Sequence, residues 1–125
     1  VDVVSYSKVT SFVFSGENVD PVQALQRLSQ GQAVFVSSVL AEKNNLHVGD
    51  FIELRTRGGM RSFEIAAIVV DFFNQGQVVE GSWEDLRRAF RVEDASTYLI
   101  KVNVLFLSAY FLLLLYFLLA LFVLL

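Results

Sequence analysis

Few side chains in this protein could do covalent or acid–base chemistry. The single histidine, His47, stands between the serine pair Ser37-Ser38 and Asp50. Together they offer the residue types of a hydrolytic triad: a hydroxyl nucleophile, an imidazole base and a carboxylate to orient it. No G-x-S-x-G elbow surrounds the serines, and a serine that closes an apolar run ahead of a helical segment already has a task as a helix cap. The same histidine with Glu42 and Asp50 makes three potential metal ligands, but one His and scattered carboxylates lack any recurring ligand spacing. Gly58-Gly59 falls between two strand-like runs rather than between a strand and a helix. With no G-x-x-x-x-G-K-[ST] elsewhere, no cradle for nucleotide phosphates is written in the chain. Arg87, Arg88 and Arg91 could meet lipid headgroups or an acidic partner, yet Glu84, Asp85, Glu93 and Asp94 surround them, as on a solvated helix face. The sequence thus assigns no catalytic, cofactor-binding or metal-binding residue, and the expectation is a protein that is not an enzyme.

Composition narrows the classes further. A chain of 125 residues has room for one small domain. Its net charge of −3, without any Lys/Arg run, lacks the electrostatic footprint of a nucleic-acid binder. The absence of cysteine excludes a disulfide framework, a thiolate zinc site and a redox pair, and leaves the compartment unread. Charge is unevenly placed: all 23 charged residues lie between Asp2 and Lys101, and 22 of the 24 residues from Val102 to Leu125 are apolar, Asn103 and Ser108 being the exceptions. As a helix, Val104 to Leu125 would extend about 33 Å, enough to cross a hydrocarbon layer of ~30 Å. A transmembrane segment is expected. Tyr110 and Tyr116 fall inside the run and only Lys101 flanks it, unlike the usual interfacial placement of aromatic and basic residues. A helix buried in an oligomer and a non-native tail are the other readings. The chain opens at Val1 with no basic-then-apolar leader, and reads as a piece of a longer polypeptide.

The elements follow from periodicity and turn chemistry. Val1 to Phe14, rich in Val, Ser, Tyr and Phe and closed by Ser15-Gly16-Glu17-Asn18, predicts one or two strands. Asp20 as cap, Pro21 at the first position, Gln23 completing a capping box and Gly31 as stop delimit a helix. Its apolar face is expected to be Val22, Leu25 and Leu28. Ala33 to Val36 fits a strand buried on both faces, followed by a helix capped by Ser37 or Ser38 and ended by Asn44-Asn45. Gly49 suits the positive φ of a tight turn. Phe51 to Thr56 and Arg61 to Phe72 predict a hairpin joined at Arg57-Gly58-Gly59-Met60 by a primed turn, the second strand central and the first nearer an edge. Gln77 to Val79 suggests a short strand. Ser82 caps a helix with Trp83, Leu86 and Phe90 on one face and Glu84 paired with Arg88. Thr97 to Val102 reads as a final strand. The fold class is α+β: a small mixed sheet with short amphipathic helices over 1–102, then a hydrophobic C-terminal helix over 103–125.

Three stretches occur in order: Asp20-Pro21 with its helix through Leu28; Gly31-Gln32-Ala33-Val34-Phe35-Val36-Ser37-Ser38-Val39-Leu40-Ala41; and Leu46-His47-Val48-Gly49-Asp50-Phe51-Ile52-Glu53-Leu54. The strand Phe63 to Asp71 follows them. Together they resemble the extracytoplasmic domain of FtsX-like, MacB-type ABC transporter permeases, over roughly Val19 to Val102. The resemblance implies a domain outside the cell membrane, inserted between the first two transmembrane helices of a permease that pairs with a second copy and with a separate or fused ABC ATPase. It implies relay of ATP-driven motion, with lipid, lipoprotein, peptide or antibiotic as cargo. The matched residues are fold-makers: Gly31, Gly49 and Asp50 for backbone geometry, and Val34, Val36, Ile52, Leu54, Ile65 and Ile68 for the core. In one respect the chain departs from the family, whose members continue past the strand matched by Thr97 to Val102 with an amphipathic helix and more strands; here the apolar run follows at once. A shortened outer domain, an unusually apolar form of that helix, and a non-native tail all remain open. The rival reading is a membrane-tethered module that binds a peptide or lipid in a groove or at a sheet edge, without an ATPase.

Overall fold

The computed structural model describes residues 1–94 and 104–124, with the backbone alone for 104–110. Its centre is a four-stranded mixed sheet of order β2-β3-β1-β4, built from β1 (Ala33–Ser37), β2 (Phe51–Thr56), β3 (Gly59–Val69) and β4 (Val79–Gly81). β1 runs parallel to β3 and antiparallel to β4, and β2 is antiparallel to β3. The helices are α1 (Val3–Val9), α2 (Pro21–Ser29), α3 (Ser38–Asn44), α4 (Trp83–Phe90) and α5 (Val104–Leu124). The α+β class is therefore established, with β3 central and β2 at an edge.

Two apolar layers sandwich the sheet. On one face Val34, Val36, Phe63 and Ile65 pack with Ala41 of α3 and Ala89 of α4. On the other Phe35, Ala67 and Val69 pack with Ala24 and Leu28 of α2. All five residues of β1 are buried, as a strand covered on both faces requires. β3 changes sides along its length because Ala66 is an extra residue: Val34 pairs with Ile65 but Phe35 pairs with Ala67. This bulge puts Ala66 and Ala67 on the same face and lets one strand feed both cores.

The caps are local. Asp20 Oδ1 accepts the Val22 and Gln23 amides at 2.9 and 3.3 Å; Asp20 alone makes this cap, and no return bond from the Gln23 side chain occurs among the described residues. Ser37 and Ser82 cap α3 and α4 by accepting the Leu40 and Asp85 amides. Asn45 ends α3 in the left-handed region at φ 52°, and Gly31 and Gly49 have φ 85° and 92°.

Several expectations are corrected. In place of the one or two strands expected over Val1 to Phe14, the N-terminal segment forms helix α1, capped by Asp2, whose carboxylate accepts the Ser5 amide and hydroxyl. Its half-buried residues Val3, Tyr6 and Val9 recur every third position, so helical spacing prevails over β-branched composition. Pairing survives only at Phe14, bridged to Val69. In α2, Val22 is 72% exposed and Ala24 lies beneath with Leu28. The hairpin turn is Arg57-Gly58, closed by the Thr56–Gly59 pair. It is not a primed turn: only Gly59 has positive φ, 105°, and the Thr56 hydroxyl holds it by donating to the Gly59 carbonyl and accepting the Gly58 amide. The short strand is Val79–Gly81 rather than Gln77 to Val79. The strand expected at Thr97 to Val102, and the domain boundary there, lie outside the described residues.

Helix α5 has 21 residues, about 32 Å of helix. Its side chains from Phe111 to Leu124 are exposed. Over the residues described in full, no helix is long and apolar enough to cross a membrane; for α5 that stretch is 111–124, shorter than its backbone helix.

Candidate functional site

The components of the candidate triad are brought to different environments. Ser37 ends β1 and is fully buried. Its hydroxyl donates to the Gly76 carbonyl and accepts the Leu40 amide, so it is occupied as a cap and a tie. His47 lies in the turn before β2 with its side chain 69% exposed, Nδ1 3.4 Å from Asp50 Oδ2. Asp50 also accepts the His47 amide at 2.8 Å, which makes the pair a turn device. No hydrogen bond joins His47 to Ser37 or Ser38 among the described residues. Glu42 on α3 does not complete a ligand cluster with His47 and Asp50, and no group of three His, Cys, Asp or Glu that could hold a metal forms among the described residues.

The arginine group lies as expected on the exposed side of α4. Glu84 pairs with Arg87 at 3.7 Å and with Arg88 at 3.9 Å. These side chains, with Arg91, Val92 and Glu93, line only a shallow surface hollow. A second concavity, more apolar, lies where α4 meets the sheet between Val34, Leu54, Phe63, Val79, Leu86 and Phe90, with Arg55 and Asp85 as its charged members.

Two acidic residues not singled out in the sequence stand out in the structure, Asp85 by its burial and Glu80 by its raised carboxyl. Asp85 is buried on α4 and accepts the Gln32 amide at 2.9 Å; it clamps the turn between α2 and β1, where Gln32 has φ 55°. Glu80, on β4 opposite Phe35, is held up to about 7 by burial first and then by Asp71. Burial with the two carboxylates raises the Tyr6 phenol. The available sequence signal for Glu80 was a charge inside Val78-Val79-Glu80-Gly81. For Asp85 it was the position three beyond the Ser82 cap, which also suits a solvated first turn.

Next to this cluster, the segment after β3 presents Phe72 and Phe73, 75% and 79% exposed. No family model, no curated protein and no solved structure matches this chain.

Proposed function

We propose that this protein is the extracytoplasmic domain of a bacterial ABC-type permease, with residues 1–102 outside the cell membrane and the apolar segment 103–125 entering it. In this reading it works by contact and force relay rather than by catalysis. The observation that carries the reading is the ordered set of motifs that resemble the FtsX-like, MacB-type permeases. Its support is the part those motifs play here: Asp20-Pro21 opens α2, Gly31 and Gly49 take positive φ, and Val34, Val36 and Ile65 form the core of one sheet face. What speaks for a membrane location is the apolar character of the exposed α5 side chains from Phe111 to Leu124. The partners of this reading are an ABC ATPase, a second permease copy, and a lipid, lipoprotein or peptide cargo.

The experiment is purification of the full-length native protein from membranes, followed by mass spectrometry for an ATP-binding subunit or a fused ATPase domain. A stoichiometric ATPase is the expected result. A lone single-pass protein without one overturns the permease reading and leaves the tethered peptide- or lipid-binding module, for which the apolar concavity beneath α4 and the β2 edge are the available surfaces.

A further inference from the structure

The β2 edge of the sheet is regular for a strand with only one neighbour. It has six residues, contains no proline and keeps an unbroken register with β3, whereas β4 at the opposite edge has three. An edge of this kind is an open template for another strand. The direction of its backbone groups follows from the ladder. Thr56 and Gly59 close a two-residue turn, and the Asp50 carbonyl accepts the Ile65 amide at 2.8 Å. Ile52, Leu54 and Thr56 therefore turn their N–H and C=O groups towards β3, and Phe51, Glu53 and Arg55 turn theirs outward. Among the described residues no other segment bonds to those outward groups. The edge ends at Arg57, whose amide donates to the Ala89 carbonyl of α4.

The side chains of this edge are patterned as well. Ile52 and Leu54 pack against the core that includes Ala41 and Ala89, and the exposed Glu53 and Arg55 alternate with them on the other face. Their neighbours across the β3 ladder are Ser62 and Met60, which offer no counter-charge. Neither Glu53 nor Arg55 enters an ion pair among the described residues. Leu54 also lines the apolar concavity beside α4, with Leu86 and Phe90.

We propose that β2 pairs edge to edge with the β2 of a second copy of this chain, antiparallel about a two-fold axis at Leu54, so that the two sheets become one. Outward backbone groups must meet outward groups, which permits the axis at Ile52, Glu53, Leu54 or Arg55. With the axis at Glu53 the two carboxylates face each other, and with the axis at Arg55 the two guanidiniums do. With the axis at Ile52, Glu53 faces Phe51 and Arg55 faces Gly49, so neither charge is matched. Only at Leu54 does each Glu53 lie opposite the partner's Arg55, and the symmetry makes that pair twice. In this register each Glu53–Arg55 pair exchanges both backbone hydrogen bonds, and the two Leu54 side chains meet beside the apolar Leu86 and Phe90. The pairing goes beyond the transport reading and does not rest on it, since it needs no ATPase, cargo or membrane.

The chain has no cysteine, so a single introduced thiol reads the register. Leu54→Cys and Phe51→Cys are each oxidised with copper phenanthroline in the full chain in detergent micelles. Residues facing each other at the axis have Cα atoms about 4.5 Å apart, within disulfide reach. The two Phe51 positions are offset by six residues, about 20 Å. Leu54→Cys is expected to give a covalent dimer and Phe51→Cys none. Sedimentation equilibrium of the cysteine-free chain gives a reading independent of Leu54: Glu53→Arg or Arg55→Glu alone sets like charges opposite each other and should weaken the dimer about tenfold, and the two together should restore it. Cross-linking at Phe51→Cys as fast as at Leu54→Cys overturns the proposal, because association through α5 alone would give that result. A double charge exchange that does not restore the dimer overturns it too. So does a Leu54→Cys variant that keeps its urea midpoint and forms no cross-link, which leaves the edge to a strand from another protein.

Discussion

The Ser37 hydroxyl sits at the junction of β1 and α3, where it satisfies the Leu40 amide and the Gly76 carbonyl at once. Ser37→Ala leaves the carbonyl without its partner and α3 without its cap, which should cost about 1–3 kcal/mol. Ser38 is half-buried with no side-chain hydrogen bond among the described residues, and Ser38→Ala should stay within about 0.5 kcal/mol. Urea unfolding followed by Trp83 fluorescence separates the two. Glycines divide in the same way. A Cβ on Gly76 would lie 2.7 Å from Val39 Cβ and Cγ2, at φ 75°; Val39 Cβ is anchored to the α3 backbone, so the helix must move. Gly49 has φ 92° with open space around it. Gly49→Ala should cost about 1–2 kcal/mol from backbone strain alone, and Gly76→Ala about 1–3 kcal/mol more from overpacking. The same urea series reads the difference as a larger fall in midpoint for Gly76→Ala.

Between elements, the α2–β1 turn shows how distant residues fix local geometry. Arg27 at the end of α2 donates to the Gly31 carbonyl at 2.9 Å and pairs with Glu64 of β3 at 2.7 Å, while Asp85 of α4 takes the Gln32 amide. The ion pair is one-third exposed on each side, so Arg27→Ala should lose no more than about 1 kcal/mol. Asp85 is buried, and Asp85→Ala leaves the Gln32 amide unsatisfied at a cost of about 1–3 kcal/mol. Asp85→Asn keeps an acceptor oxygen and should lose less, which thermal unfolding of the three variants would show. These tertiary ties also mark where sequence reasoning stops. The cap at Asp20, the buried β1, the left-handed Gly31 and Gly49 and the central β3 were legible because each depends on a residue and its near neighbours. Helix α1 was hidden by valines that favour strands, since its spacing of three shows only once one face has a sheet to cover. The bulge at Ala66 was hidden because Ile65-Ala66-Ala67-Ile68 is apolar on either alternation. Glu80 and Asp85 were read past because burial of a carboxylate is decided by strands and helices far along the chain. The triad residues could be recognised by type, but type cannot show that Ser37 is buried while His47 faces solvent.

At the scale of the whole molecule, the sequence sets a charged α+β sheet domain before a helix that carries no charged residue. The exposed side chains of α5 from Phe111 to Leu124 are all Phe, Leu, Tyr, Ala or Val, a surface that water does not leave uncovered. A bilayer would cover it on all sides, whereas packing in an oligomer would cover it with other copies of the helix. Leu114→Arg distinguishes them. Near the middle of a spanning helix a charge costs about 2.5–3.5 kcal/mol of insertion free energy, a deficit that snorkelling relieves only in part. If α5 spans a membrane, the substitution should shift the protein out of the carbonate-resistant membrane fraction while the sheet domain keeps its urea midpoint. If α5 is an oligomer core, membrane association should be unaffected and sedimentation should show the assembly falling apart, because the buried charge has no partner among Leu, Phe and Tyr neighbours. The domain midpoint serves as the control in both cases, since the two apolar layers around the sheet are built from residues of the first 90 positions.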